Sequence, residues 1–116
     1  MFVGNRPAPD AFRAELLRVG RSVLLAVDGE LDLATSRQLR AATDGIDDPL
    51  DPPDVTVDLS RLEFVDAAGV AALVELRNAV HDAGGGIHLR SARPNVRRVL
   101  ELVELVDLLD AGGAQP

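Results

Sequence analysis

Few residue types in this chain could carry catalytic chemistry. Its 116 residues contain no Cys, and because all twelve basic residues are Arg there is no Lys either. Thiolate metal sites, cysteine nucleophiles, Schiff-base amines and phosphate-loop lysines are therefore excluded. The two histidines, His81 and His88, are predicted on a helix and on the outward side of a strand, where solvated side chains are favoured over a metal pair or a general base.

Asp58, at the end of a predicted strand, is the candidate carboxylate for an enzymatic role. A phospho-accepting aspartate of the receiver type also needs an acidic pair after the first strand and a lysine, and this chain has no lysine. Residues 47–54 hold four acids and three prolines without the acid spacing of a calcium loop, so we expect a solvated linker there. We expect no metal, no cofactor and no enzyme activity.

The charge balance constrains the kind of partner. Nineteen acidic residues against twelve arginines give a net charge of −7, which disfavours binding to a nucleic-acid backbone. No apolar run approaches the roughly eighteen residues of a membrane span, so no membrane insertion is expected. We predict one cytoplasmic domain over 11–110, with a flexible lead-in over 1–10 and a flexible tail over 111–116.

Hydrophobic periodicity predicts the strands that would position any site. Alternating apolar residues indicate strands over 22–30, 55–59 and 87–91. A turn at 19–22 is typical of a hairpin and joins the first of these strands to the mixed apolar stretch 11–19. The residues between the strands have helical spacing, so the chain is predicted to be an α/β domain with helices packed on a sheet.

Three helices are predicted. The first begins after Asp32, the second runs from Ala67 to about Ala83 after Asp66, and the third begins at Pro94. Both aspartates are placed to accept the unpaired amide hydrogens of a helix start. Residues 105–109 could either extend the third helix or form a last edge strand, and the local pattern leaves this open.

The second helix is apolar on two sides. One side, which includes Leu73, should pack on the sheet. The other side is apolar only over its first two turns and consists of Ala67, Val70, Ala71 and Val74. Either this half-helix is exposed beside the Asp66 cap and binds another protein, or Val70 and Val74 pack on a neighbouring helix.

Residues 58–73, DLSRLEFVDAAGVAAL, resemble the signature of the STAS domain, which bacterial anti-sigma factor antagonists share with the tails of sulfate transporters. The usual form is Asp-Leu-Ser, a few residues, and then Phe-(Met/Val)-Asp-Ser-(Ser/Thr)-Gly-(Leu/Val). Residues 29–32 and 94–100 are similar to two further landmarks of the family, so the resemblance covers about 12–109. It implies a mixed β-sheet of four to five strands with α-helices packed on one face.

The resemblance also implies partner switching. An unphosphorylated antagonist of this family binds an anti-sigma factor, usually a serine kinase with a histidine-kinase-like ATPase fold, and thereby frees a sigma factor for transcription. Phosphorylation of the serine after the motif aspartate separates the two proteins. That position is Ala67 here and the next hydroxyl position is Ala68, so the usual phosphoacceptor is absent. Whether Thr35, Ser36 or Ser60 replaces it stays open.

A partner-binding surface is what the resemblance still implies. Its residues are Asp32, Leu33, Asp66, Ala67, Ala68, Gly69, Val70, Ala71 and Val74. An alternative function is that of a STAS accessory subunit on the ATPase of a membrane lipid ABC transporter. A third, from another class, is a small phosphotransfer enzyme that uses Asp58. A homodimer also stays open.

Overall fold

The computed structural model describes residues 12–103, 105, 108 and 109. The elements, in chain order, are β1 (Arg13–Val19), β2 (Ser22–Leu31), α1 (Leu33–Ala42), β3 (Asp54–Asp58), β4 (Leu62–Val65), α2 (Ala67–Asp82), β5 (Gly86–Arg90) and α3 (Pro94–Leu102). The predicted lead-in over 1–10 and tail over 111–116 lie outside the described residues. The predicted hairpin and the three helix starts are present, and the linker predicted over 47–54 is present except for Asp54, which is the first residue of β3.

The strands form one mixed sheet in the order β1-β2-β3-β5, with β4 paired to β2 beyond the end of β3. Strand β1 is antiparallel to β2, whereas β3, β4 and β5 run parallel to their neighbours. β2 pairs with β3 up to Ala26 and with β4 from Gly29 to Leu31, with a register irregularity between Gly29 and Glu30 inside the β2–β4 pairing. The mixed sheet confirms the expected fold class.

Strand β4 is the element that the sequence does not predict. It has four residues, and only its first and last, Leu62 and Val65, are buried. So short a segment shows no alternation that could identify a strand. It forms because the pairing of β2 with β3 ends at Ala26, which leaves residues 29–31 of β2 to pair with residues more than thirty positions later.

The core lies between one face of the sheet and the three helices. On β2 the side chains of Val23, Leu25 and Val27 point into this core, and those of Val55 and Val57 join them from β3. The intervening β2 side chains on the other face are only half-buried. This alternation confirms that the helices pack on one face of the sheet.

The last helices and strand of the chain have clear boundaries. Gly84, at a φ of +88°, follows the end of α2 and turns the chain into β5. Helix α3 buries Val96 and Leu100 and ends at Leu102. Leu109 then forms an isolated parallel bridge with Leu89, which places it beside β5 and not in a longer helix.

Candidate functional site

Two helices begin side by side at one edge of the sheet. Strands β2 and β4 are parallel neighbours, so their carboxyl ends lie side by side. Helices α1 and α2, which follow these strands, therefore begin next to each other. The backbone N–H of Asp66 donates to the carbonyl of Leu31 at 3.2 Å, which joins the two connections directly. An open depression of about 540 Å³ lies there, lined by Asp32, Leu33, Ala34, Arg37 and Asp66.

Asp32 begins α1 through a reciprocal capping box. Its carboxylate accepts the backbone N–H of Thr35 at 2.9 Å, and the Thr35 hydroxyl accepts the backbone N–H of Asp32 at 2.9 Å. The same hydroxyl donates to the Glu30 carbonyl at 2.8 Å. The N–H of Thr35, and then its hydroxyl, lower the pKa of Asp32 below its usual value because both favour the ionised form. The cap therefore fixes a negative charge at this edge.

Asp66 begins α2 with a single side-chain contact. Its carboxylate accepts the backbone N–H of Gly69 at 3.0 Å, which confirms the capping role predicted from sequence. Gly69 is buried against the backbone of Leu31, and a Cβ at this position would overlap the Leu31 carbonyl oxygen. Gly69 thus permits α2 to approach β2 closely, but it offers no surface of its own.

The second apolar side of α2 is divided between surface and core. Ala67 and Ala71 are exposed. Val70, in contrast, is only 6% exposed, and Val74 is half-buried against the core cluster. The hypothesis of a four-residue exposed patch is therefore wrong for Val70, whose side chain packs inside the molecule. A charge at position 74 would perturb the core as well as the surface.

Two larger apolar side chains are exposed at the same end of the sheet. Leu33, the first residue of α1, is 70% exposed, and Phe64 on β4 is 44% exposed. Phe64 pairs in register with Glu30, so both side chains stand on the same face of the sheet end. Leu33 is among the residues predicted for the partner-binding surface. Phe64 is not, because no strand is predicted over residues 62–65 and therefore no outward direction for its side chain.

We define the helix-start surface as Leu33, Ala67 and Ala71, together with the capping carboxylates of Asp32 and Asp66. Its apolar members are exposed, and its two carboxylates are held by backbone amides. Arg37 is the basic residue that lines the adjoining depression. Such a surface is rigid, since both caps and the close approach of Gly69 fix it, and it presents apolar area beside negative charge.

The other candidates from sequence have ordinary structural roles. Asp58 accepts the backbone N–H of Ser60 at 3.0 Å and lies 3.9 Å from Arg90. His81 and His88 are both exposed, as predicted. Among the described residues there is no group of three His, Asp or Glu side chains arranged to hold a metal ion. In the same part of the chain, no helix combines the length and apolarity needed to cross a membrane.

Comparison with known proteins gives a family and a fold. A family model described as "Mlab, STAS domain" matches residues 15–110. No protein with a curated description matches the sequence. The structure is similar to three solved structures in particular, which include two bacterial regulators and one transporter.

The first regulator is the anti-sigma factor antagonist SpoIIAA of Bacillus in its unphosphorylated form, at 23% identity and a TM-score of 0.69, with 86% of each chain covered. The second is an anti-sigma factor antagonist from Mycobacterium paratuberculosis, at 24% identity and a TM-score of 0.71, with 90% of each chain covered. The murine anion transporter Slc26a9 matches at 22% identity and a TM-score of 0.63, over 74% of this chain and 14% of the transporter.

Proposed function

Because the chain belongs to the STAS domain family, we propose that it is a non-enzymatic cytoplasmic regulator that binds an anti-sigma factor and so controls transcription by a sigma factor. The observation that carries this proposal is the helix-start surface. Leu33 is 70% exposed next to two rigid helix caps, and an apolar side chain of that size is costly to leave in water. The antagonist fold of the solved structures supports the same role.

The chemistry of the surface suggests how the partner binds. The exposed alanines, Ala67 and Ala71, allow the partner's backbone to come close to α2. Leu33, at the neighbouring helix start, is the larger apolar anchor. The ionised carboxylate of Asp32 adds a negative charge that favours a partner with basic side chains around its own apolar contact.

Regulation at this surface would differ from the usual family mechanism. Ala67 has no oxygen to phosphorylate, and neither has Ala68. A kinase-type partner that carries the histidine-kinase-like ATPase fold could therefore bind without separating the complex by phosphorylation at this turn. We infer that the protein binds its partner constitutively, with an affinity set by the apolar contact.

That same feature favours a second candidate function. A surface that no phosphate switches suits a permanent subunit, so a STAS accessory subunit on the ATPase of a membrane lipid ABC transporter remains the alternative. The similarity of this structure to 14% of the chain of a murine anion transporter shows that a similar fold also occurs within a membrane transport protein. Capture with the full chain from a detergent extract of its own cells, followed by mass spectrometry, separates the two. A sigma-regulating kinase supports the first function, and a transporter ATPase supports the second.

Two charge substitutions test where the partner binds. Leu33→Asp and Ala67→Asp both place a carboxylate at an exposed first turn, where the helix dipole tolerates it, so the melting temperature should hardly change. Calorimetric affinity for the captured partner should fall by about 2 kcal/mol, roughly thirtyfold, because the charge would be desolvated unpaired.

Asn78→Asp is the matched control, since it adds the same charge at an exposed position further along α2. It should leave the affinity within about twofold of wild type. If Leu33→Asp and Ala67→Asp bind as tightly as this control, the partner does not use the helix-start surface. If both bind weakly but melt far below wild type, the loss comes from folding and the surface proposal fails as well.

A further inference from the structure

The hydroxyl groups of this chain differ in whether they could accept a phosphate. Ser36 is 1% exposed, and its hydroxyl donates to the Leu33 carbonyl at 2.9 Å while it accepts from Arg40. The Thr35 hydroxyl is held by three contacts of the α1 capping box, so its modification would destroy the helix start. The Ser36 hydroxyl is therefore buried, and the Thr35 hydroxyl is engaged in the start of α1.

Ser60 lies in the turn between β3 and β4 and is exposed. Its backbone is fixed on both sides of the residue. The N–H donates to the Asp58 carboxylate at 3.0 Å, and the carbonyl accepts from Nε of Arg93 at 3.1 Å. The turn therefore presents the hydroxyl in a defined position, in contrast to a serine on a mobile loop.

Arginine side chains surround this turn. Arg93 reaches it from the start of α3, thirty-three positions along the chain. Arg61 follows Ser60 directly; its side chain is 78% exposed, and its Nε lies 4.0 Å from the Asp28 carboxylate. Arg90 lies 3.9 Å from the Asp58 carboxylate. Arginine is the side chain best suited to hold a phosphate, because its guanidinium donates two hydrogen bonds in one plane.

One carboxylate opposes an added phosphate at this place. Partial burial by itself would raise the pKa of Asp58, but the N–H and hydroxyl of Ser60, with Arg90 and Arg61 nearby, lower it below its usual value. Asp58 is thus ionised and would repel a phosphate on its neighbour. Because Arg93 and Arg61 stand beside the same turn, they can offset that repulsion.

The start of α3 adds a further favourable feature. Arg93 occupies its N-cap position, and no side chain among the described residues caps this helix. The first turn also contains no acidic residue. A negative group held by Arg93 would therefore lie close to the positive end of the α3 dipole.

From this geometry we propose that Ser60 is a phosphorylation site and that Arg93 and Arg61 hold the phosphate. In the reaction, a protein kinase supplies the nucleoside triphosphate. The Ser60 hydroxyl oxygen forms a bond to the γ-phosphorus, the bond from that phosphorus to the bridging oxygen breaks, and the nucleoside diphosphate leaves. The hydroxyl proton passes to the kinase's base. This site goes beyond the proposed function and does not depend on it.

The first experiment asks whether the phosphate is present. The full chain is purified from its own cells in exponential and in stationary growth, and the phosphorylated residue is located by mass spectrometry. We expect phosphate on Ser60 in at least one phase and none in a Ser60→Ala chain. Phosphate found only on Ser91, or none in either phase, would overturn the assignment.

The second experiment asks what holds the phosphate. The chain is made with phosphoserine genetically encoded at position 60, and its second ionisation is followed by phosphorus NMR. Contact with Arg93 should lower the midpoint below the value of about 6 for a free phosphoserine, by half a pH unit or more. Arg93→Gln should return the midpoint toward 6.

Arg77→Gln is the matched control, because Arg77 lies on α2 and its Nε donates to Asn78. It should leave the midpoint unchanged. An unshifted midpoint in the parent protein, or an equal response to both arginine substitutions, would contradict the proposed role of Arg93. Neither experiment involves a partner protein, so their failure is distinguishable from a failure of the proposed function.

Discussion

Helices α1 and α2 start side by side, and an aspartate caps each of them, but different interactions hold the two helix starts in place. Asp32 and Thr35 cap α1 with polar contacts on the protein surface, and the box can form from local sequence alone. Asp66 makes one such contact, and the position of α2 depends also on Gly69 packed against the backbone of β2. We infer that local hydrogen bonds fix the start of α1, whereas close packing fixes the start of α2.

The difference has a consequence for the helix-start surface. In the first turn of α1 Ser36 is buried, but Leu33, a large apolar side chain, is left 70% exposed. Close packing on α2 restricts Gly69 to a residue without a Cβ, whereas the exposed residues beside it, Ala67 and Ala71, are small without being packed. The partner surface proposed above therefore combines an apolar anchor from α1 with a flat area from α2.

The largest expected effect breaks the packing of α2. Gly69→Ala places a Cβ against the Leu31 carbonyl and the Val65 side chain, and the backbone atom cannot move without shifting β2. We expect a loss of about 3 kcal/mol in the free energy of unfolding, measured by urea denaturation. Ala71→Ser, on the exposed side of the same helix, is the control and should stay within about 0.5 kcal/mol of wild type. A stable Gly69→Ala variant would mean that α2 does not approach β2 as closely as described.

A smaller effect isolates the cap of α2 from its packing. Asp66→Ala removes the acceptor for the Gly69 N–H and leaves Gly69 in place, so the cost should be that of one N-cap, about 1 kcal/mol. The urea midpoint measures this, and Asp66→Asn should recover most of the loss because an amide oxygen can still accept. A loss as large as that of Gly69→Ala would show that the two contributions cannot be separated.

The smallest effect concerns the charge on the α1 cap and appears as a dependence on pH. The folded pKa of Asp32 is lowered, so its ionised form stabilises the protein at pH values above the unfolded pKa of about 4. That stabilisation is lost as the pH falls through the lowered folded value. Asp32→Asn keeps an acceptor but no charge, so wild type should exceed it in stability at pH 6 and lose the advantage toward pH 2. A difference that stays constant with pH would show that the charge of Asp32 does not contribute.

Much of the fold could be predicted because its signals are local. Asp32 and Asp66 cap helices through amides three residues ahead, and Pro94 starts α3 for the same kind of short-range reason. The alternation in β2 identifies its buried face without knowledge of any neighbour. The family signature around Asp66 likewise lies within sixteen consecutive residues.

What remained undetermined depends on residues far apart in sequence. Val70 and Ala71 are adjacent apolar residues on one helix, but only the packing of the molecule puts Val70 inside and leaves Ala71 exposed. Strand β4, and with it the outward position of Phe64, depends on pairing with residues 29–31 of β2. The contact between Arg93 and Ser60 spans thirty-three positions. Sequence periodicity determines which face of an element is apolar, whereas the tertiary structure decides which neighbour covers that face, because coverage depends on how separate elements pack together.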